Sequence, residues 1–181
     1  MNAIGFALFP TAIGHCAIAW TDREIAGAQL PESDEHATRR RMQRRYPDTA
    51  ESTPPPSVQH AIDAISALLC GERGDLTGIP VAMSDLAPFD RHVYEAARAI
   101  PPGHTVTYGE LAKRIGEPHA AQAVGQALGR NPLAPIVPCH RIVSADGKMH
   151  GFSATGGVKT KLRLLTIEGW RATEPTLFDQ T

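Results

Sequence analysis

The residues best suited to do chemistry in this sequence surround Cys139. Pro138 precedes the cysteine, and His140 and Arg141 follow it. A nucleophilic cysteine must be a thiolate, and a neighbouring guanidinium or imidazolium charge lowers the pKa of the thiol. On composition alone, a free cysteine is more often an inert, buried packing residue. The rigid proline on one side and the two basic residues on the other favour a nucleophile instead.

Two short helices are predicted ahead of this segment. Thr107 and Glu110 form a capping box that opens the first helix, and Gly116 ends it. The second helix starts after Pro118 and ends at Gly129. Two short helices joined by a glycine-containing turn are typical of a helix-turn-helix, which usually enters the major groove of DNA. The spacing alone fits a purely structural helical hairpin equally well.

The charge distribution favours nucleic-acid binding by the second half of the chain. Residues 1–88 carry 7 basic and 11 acidic residues, whereas residues 89–181 carry 11 basic and 8 acidic residues. Within residues 110–171, 9 basic residues face only 4 acidic ones. Such a local excess of positive charge can bind phosphates.

The first half predicts a small antiparallel meander with helices. Three β-like runs span residues 5–9, 14–20 and 24–30, and a charged helix follows over residues 33–46. Because acidic residues flank its five arginines, we interpret residues 39–45 as a solvated helix face. After the prolines at 54–56, Ser57 is expected to cap an amphipathic helix that ends at Gly71.

These patterns predict an α+β fold in two parts. Residues 1–86 form the N-terminal sheet with its helices, residues 87–172 form a mostly helical DNA-binding domain, and residues 173–181 form a tail. We expect the boundary in the loop from Leu76 to Pro88. Packing roles are expected for the remaining conspicuous side chains, which are His15, Cys16, Trp20, Cys70 and Trp170.

Cysteine number and hydropathy exclude several classes of protein. Three cysteines, an odd number without a CxxC pattern, argue against a disulfide framework and against a structural zinc. No apolar run approaches twenty residues, and no basic residue precedes the apolar start of the chain. We therefore expect a cytoplasmic protein that contains no metal and does not bind a membrane.

Four motifs in order resemble the O6-alkylguanine-DNA alkyltransferase family. They are Ile100-Pro101-Pro102-Gly103, Thr107-Tyr108-Gly109-Glu110-Leu111-Ala112, Ala120-Ala121-Gln122-Ala123-Val124-Gly125, and Asn131-Pro132 with Pro138-Cys139-His140-Arg141. A further match covers residues 161–168, so the resemblance extends from about Phe89 to Gly169. The first half is similar to the family only in outline, as a ribonuclease-H-like unit.

The resemblance implies a catalytic set centred on Cys139. In the family, the cysteine thiolate attacks the alkyl carbon of a guanine that has been flipped out of the duplex. His140 matches the histidine that acts as the base through a water, and Glu168 matches the glutamate that orients it. Asn131 matches the residue that holds the turn before the cysteine. We expect residues 139 and 140 to be extended, so that a water must bridge the two side chains.

The resemblance also implies a binding set around the flipped base. Tyr108 matches a tyrosine that contacts the base and crowds the phosphate. Ser153 matches a serine whose backbone donates to guanine O6, and the carbonyls of Cys139 and Ile142 match those that accept from the guanine amino group. Lys161 matches a lysine behind the pocket.

At three places around the expected DNA and base contacts, this sequence differs from what is usual in the family. Ala121, Gln122 and Arg141 are expected on the DNA side, but Gln122 stands where the family usually has an arginine that fills the void left by the flipped base. We expect slower flipping and weaker binding from this change. Phe152 replaces a frequent tyrosine in the pocket wall and keeps its stacking area. The loop over residues 154–157 is longer than in some members.

The implied function is single-turnover DNA repair. The expected partner is double-stranded DNA that contains O6-alkylguanine, with O4-alkylthymine as a second candidate, bound through the minor groove by a monomer. No cofactor and no obligate protein partner are implied. Alternatives are a lesion sensor, against which Cys139 argues, an alkylation-responsive DNA-binding regulator, and a Cys-His hydrolase, for which His140 is poorly placed.

Overall fold

The N-terminal part is an antiparallel three-stranded meander, as the sequence predicts. The computed structural model describes residues 3–145, 149 and 151–171, so the predicted tail at 173–181 lies outside the described residues. Strands β1 (Gly5–Thr11), β2 (Gly14–Trp20) and β3 (Ile25–Gln29) pair in the order β1-β2-β3. Gly5 lies opposite Trp20, and Ala17 lies opposite Gln29. The predicted α+β fold is confirmed.

Two helices cover this sheet. Helix α1 (Glu35–Arg45) is capped by Asp34, whose side chain accepts from the backbone N–H of Ala37. Helix α2 (Pro56–Leu69) starts with Pro55 at the N-cap and Pro56 in the first turn. The prediction that Ser57 caps α2 is therefore wrong, because a proline needs no N–H partner and its fixed φ already suits the first helical position.

The arginine-rich stretch is only partly a solvated face. Arg40, Arg41 and Arg44 are exposed, as expected. Arg45 is half-buried, and its guanidinium donates to the backbone carbonyl of Pro132 at 2.9 Å. This hydrogen bond joins α1 to the segment that leads to Cys139.

Two of the packing assignments need correction. Cys70 is exposed after the end of α2. His15 is half-exposed, and its Nε2 lies 3.5 Å from the carboxylate of Glu35. Cys16 and Trp20 are buried, as predicted. Trp170 is half-buried.

The second part consists of short helices around two short strands. Helices α3 (Pro88–Arg98), α4 (Tyr108–Arg114) and α5 (Ala121–Gly129) are followed by α6 (Val158–Ile167). The capping box of Thr107 and Glu110 is present in full at the start of α4. Strands β4 (Val106–Thr107) and β5 (Ile142–Val143), which the sequence analysis did not pair, form a parallel ladder.

The two parts share one buried apolar core. It runs from Ile18 in the sheet, through Ile65 of α2, to Leu133 and Leu164 in the second part. The backbone N–H of Ala28 in β3 also donates to the carbonyl of Pro132 at 3.0 Å. The N-terminal sheet therefore contributes directly to the position of the Cys139 segment. Among the described residues, every helix is too short or too polar to span a lipid bilayer.

Candidate active site

Cys139 lies at the start of a single 3-10 turn, Cys139–Arg141. The backbone N–H of Arg141 donates to the carbonyl of Pro138 at 2.9 Å and closes this turn. The expectation that residues 139 and 140 are extended is therefore wrong. Pro138, with ψ of 66°, turns the chain sharply before the cysteine instead of continuing it as a strand. The tight turn lets the side chains of residues 139 and 140 reach different parts of the interior.

The Cys139 thiol is buried, with 8% of the residue exposed. Burial raises the pKa of the thiol, since a thiolate is poorly stabilised away from water. A hydrogen bond from the Asn131 side chain and the positive charge of Lys161 act in the opposite direction. The neighbourhood thus contains groups that stabilise a thiolate, although the effect of burial on the pKa predominates.

Asn131 ties together the two ends of the segment before Cys139. Its side-chain amide donates to the carbonyl of Val137 at 2.7 Å, and its side-chain oxygen accepts from the N–H of Leu133 at 2.9 Å. These two bonds fold residues 131–137 into a compact loop. The geometry agrees with the turn-holding position that the resemblance implies for Asn131.

His140 and Glu168 form a buried pair behind the cysteine. His140 Nε2 lies 2.9 Å from Glu168 Oε1, and the side chains are 1% and 3% exposed. Burial lowers the pKa of His140 in spite of the nearby carboxylate, so the ring is neutral. Burial alone would raise the pKa of Glu168, but the hydrogen bonds from His140 and Arg141, together with the positive charge of Arg141, outweigh it and lower that pKa to about 2.

These protonation states fix the tautomer of His140. An ionised carboxylate can only accept hydrogen bonds, so Nε2 of the neutral ring must carry the proton that it donates to Glu168. Nδ1 then keeps its lone pair and is free to accept a proton. A histidine held in one tautomer by a carboxylate is the arrangement expected of a general base.

Arg141 belongs to the same buried network and does not face DNA. Its Nε and one terminal nitrogen donate to the two oxygens of Glu168 at 2.9 and 2.8 Å, and its other terminal nitrogen donates to the carbonyl of Ile100 at 2.5 Å. Only 4% of the residue is exposed. The placement of Arg141 on the DNA side is therefore wrong, and Lys161, not Arg141, is the cation whose charge lowers the pKa of the Cys139 thiol.

Lys161 is fully buried and lies between the Ile142 carbonyl and the Tyr108 ring. Its ammonium donates to the carbonyl of Ile142 at 2.5 Å and lies 5.9 Å from the centroid of the Tyr108 ring. Burial lowers the pKa of Lys161, and the cysteine opposes this shift. The Ile142 carbonyl, which the resemblance assigns to the guanine amino group, thus already accepts one hydrogen bond and has one remaining lone pair.

A cavity of about 390 Å³ opens over Cys139. It lies between the two helices α4 and α5 and the loop before α6. The lining residues are Tyr108, Gly125, Leu128, Gly129, Cys139, Gly151, Phe152 and Ser153. Its volume lies within the range of about 300–1,000 Å³ that is typical of small-molecule sites. Three residues expected in the binding set, Tyr108, Phe152 and Ser153, therefore meet at one pocket with the thiol.

Two other expected DNA contacts lie at the start of α5. Gln122 is exposed, and Ala121 is half-exposed. The N-cap residue, Ala120, makes no side-chain hydrogen bond to this end of the helix, and backbone N–H groups at a helix start can bind a negatively charged ligand. The small side chains there let another molecule approach the helix closely.

Sequence reasoning missed the contribution of the Pro-Pro-Gly turn to this site. The backbone N–H of Gly103 donates to Glu168 Oε2 at 3.3 Å. Gly103 has a φ of 77°, and a Cβ there would lie 2.8 Å from the Glu168 carbonyl oxygen. The turn is therefore packed against the glutamate. The glycine in the first motif was the available signal, but its partner is distant in sequence.

The fold and the site together define a class, that of DNA-binding alkyl-transfer proteins with a cysteine acceptor. The family described as "6-O-methylguanine DNA methyltransferase, DNA binding domain" matches residues 88–170. The methylated-DNA–protein-cysteine methyltransferase of Mycobacterium tuberculosis is 43% identical over 145 residues, which cover 77% of this chain and 84% of that protein. This chain belongs to the methylated-DNA–protein-cysteine methyltransferase family.

Two further relatives agree with this assignment. The bifunctional transcriptional activator/DNA repair enzyme Ada of Escherichia coli is 34% identical over 168 residues, which cover 92% of this chain but 46% of Ada. A crystal structure of Mycobacterium tuberculosis OGT in complex with DNA superposes with a TM-score of 0.74 at 30% identity. That similarity covers 91% of this chain and 92% of the other. In the described part of this chain, no cluster of His, Cys, Asp and Glu side chains could hold a metal ion.

Proposed function

We propose that this protein repairs DNA by transferring the alkyl group of O6-alkylguanine to Sγ of its own Cys139. The observation that carries the proposal is the buried thiol at one cavity with Tyr108 and Ser153, in front of a neutral histidine that is paired with a carboxylate. O4-alkylthymine presents the same kind of alkyl-oxygen bond and is a second substrate. The reaction takes place in the cytoplasm.

The chemical step is a direct displacement. The proton of the Cys139 thiol passes through a bridging water to Nδ1 of His140, while Glu168 stabilises the imidazolium that forms. The thiolate then attacks the alkyl carbon, so that the sulfur–carbon bond forms and the bond from carbon to O6 breaks. The electron pair of the broken bond goes to the guanine ring, which takes up one proton from water and becomes unmodified guanine, while the His140 imidazolium returns the thiol proton to water. The thioether is stable, so each protein acts once.

Guanine must leave the duplex to reach this thiol. The alkyl carbon is out of reach inside the base stack, and extrusion of a base costs a few kcal/mol, as a rough guide. Helix α5, with Ala121 and Gln122 at its start, lies beside the cavity and is the element that would insert into the minor groove. Gln122 can hydrogen-bond the orphaned base but supplies no charge. Tyr108 and Phe152 would stack against the extruded guanine.

Three polar groups would then orient the guanine. The backbone N–H of Ser153 donates to O6, which favours departure of the alkyl group as charge develops on that oxygen. The carbonyls of Cys139 and Ile142 accept from the exocyclic amino group. Lys161 holds the Ile142 carbonyl in place and supplies the charge that favours a thiolate. Asn131 keeps the cysteine turn rigid.

The test is a mass measurement on intact protein and on its peptides. The wild type is mixed with duplex DNA that contains a single O6-methylguanine. We expect the peptide that holds Cys139 to gain the mass of one methylene. Cys139→Ser should gain nothing, and the matched control Cys70→Ser, which removes an exposed thiol, should react like the wild type. Lesion binding without any mass gain would contradict the proposal and indicate a sensor.

A further inference from the structure

Cys139 lies between two cavities that share a wall. The smaller cavity, of about 40 Å³, lies on the side of the N-terminal sheet. Both cavities are lined by Cys139, Phe152 and Ser153. The position of residues 152 and 153 therefore decides how the space around the thiol is divided between the two.

The smaller cavity is polar and belongs to both parts of the chain. Its lining residues are Ala28, Gln29, Leu30, Glu32, Arg41, Arg45, Asn131, Ala134, Cys139, Phe152, Ser153, Ala154 and Thr155. Gln29 is 6% exposed, and its side-chain oxygen is buried without a hydrogen-bond partner in the described part of the chain. A polar space of this size accommodates a few water molecules at most. Water can leave such a space when its wall moves inward.

The carboxylate of Glu32, in the N-terminal part, contacts the loop next to Phe152 and Ser153, which line both cavities. The hydroxyl of Thr155, two residues after Ser153, donates to one oxygen of Glu32. The guanidinium of Arg41 donates to the other oxygen. The backbone N–H of Glu32 donates to the Thr38 hydroxyl at 3.0 Å, which fixes the glutamate to the first turn of α1. The backbone of Glu32 is therefore fixed to α1.

The loop is also attached to the helix that follows it. The hydroxyl of Thr160 donates to the carbonyl of Thr155 at 2.6 Å, and the N–H of Gly157 donates to the carbonyl of Ala154 at 2.9 Å. Residues 154–157 are thus hydrogen-bonded to the start of α6. The Glu32 carboxylate holds the side of the loop that faces the smaller cavity, next to Phe152 and Ser153.

We propose that Glu32 is a positioning residue that sets the size of alkyl group the site accepts. With the Glu32–Thr155 hydrogen bond in place, Phe152 and Ser153 keep the larger cavity at its present width. Without it, the wall can move into the smaller cavity and enlarge the space beside the thiol. A methyl group needs no such movement, whereas a longer chain does. This inference rests on the proposed function and adds a specificity determinant to it.

The test compares two substrates in one variant. Single-turnover rates are measured with duplexes that carry O6-methylguanine or O6-butylguanine. Thr155→Val removes the hydroxyl donor and keeps the shape of the side chain. We expect the ratio of the butyl rate to the methyl rate to rise by about two- to tenfold, which is the equilibrium effect of one hydrogen bond, while the methyl rate changes by less than about twofold.

Two conservative variants separate positioning from general loosening. Thr155→Ser keeps the donor and should return the rate ratio to the wild-type value. Thr49→Val is the matched control, because the Thr49 hydroxyl donates to the carbonyl of Ala3 at 2.9 Å, away from both cavities. Its rate ratio should equal that of the wild type. An equal rise in Thr49→Val would overturn the inference.

A second pair of variants tests the glutamate itself. Glu32→Gln keeps the side-chain size but removes the ion pair with Arg41, and it should also raise the rate ratio. Glu51→Gln is the control, since Glu51 pairs with Arg39, which lies on α1 like Arg41 but does not line the smaller cavity. Unchanged ratios in Glu32→Gln and Thr155→Val, with normal methyl transfer, would overturn this inference alone. A wild type that transfers neither group would overturn the proposed function as well.

Discussion

Replacement of Glu168 by glutamine tests the buried network behind the cysteine. Glu168→Gln keeps the size of the side chain but removes the charge to which His140, Arg141 and the Gly103 N–H donate. Arg141 is 4% exposed and has both oxygens of Glu168 as partners. The variant leaves this guanidinium buried without a counter-charge. The same change weakens the hold of residue 168 on His140, because a neutral amide oxygen is a poorer acceptor than a carboxylate.

The expected loss of stability follows from the burial of the pair. Removal of one partner of a buried ion pair costs roughly 3–5 kcal/mol, most of which is the uncompensated charge that remains. In a domain of 150–250 residues, 1 kcal/mol lowers Tm by roughly 2–4 °C. We therefore expect Tm to fall by roughly 6–20 °C. The methyl-transfer rate should fall by roughly ten- to hundredfold, part of what a positioned general base contributes.

The stability difference should also depend on pH. The pKa of Glu168 is lowered from 4.5 to about 2 in the folded protein. A group with a depressed pKa contributes stability that is complete above its unfolded pKa and is lost as the pH falls toward the folded value. The advantage of the wild type over Glu168→Gln should therefore be constant above pH 5 and shrink as the pH falls from about 4.5 toward 2.

Calorimetry and single-turnover kinetics on the same samples check these expectations. A double variant, Arg141→Met with Glu168→Leu, separates the two effects, since an apolar pair can replace a buried ion pair with little loss of stability. It should regain part of the Tm, because the ion pair is gone but the His140 ring and the Gly103 N–H have lost their acceptor, and it should not regain the rate. The reasoning is refuted if Glu168→Gln melts within 2 °C of the wild type, or if the double variant regains the rate.

Two further predictions concern Lys161 and Gln122. Lys161→Met removes the charge that lowers the pKa of Cys139. The pH profile of Cys139 alkylation by iodoacetamide, followed by mass spectrometry, should therefore move to higher pH. An unchanged profile would show that the ammonium does not act on the thiol. Gln122→Arg should raise the repair rate at low protein concentration and steepen the salt dependence of that rate by about one phosphate contact. Both are measured with one O6-methylguanine duplex over a salt series. A rate equal to that of the wild type would contradict this prediction.

The correct predictions from sequence depended on short-range signals. The capping box of Thr107 and Glu110 spans three residues, so its hydrogen bonds are determined locally. The three strands alternate with short turns, and the meander follows from that pattern. The types of residue around Cys139 indicated a chemical site before any contact was known. The wrong cap at Ser57 was also a local matter, in which proline geometry outweighed a preferred capping residue.

The roles of the charged residues depended on contacts that only the folded chain makes. Arg141 follows His140 in sequence, yet its direction is set by Glu168, 27 residues away, and by the carbonyl of Ile100. Glu32 reaches Thr155 across 123 residues. Neither contact has a periodic or local signature, because burial of the surrounding apolar side chains, and not the spacing of the polar ones, brings these groups together. The sequence alone determined the helices and strands and identified Cys139 as the centre of the site. Packing decided that Lys161 is the cation that acts on the thiol and that Glu32 contacts the loop next to Phe152 and Ser153.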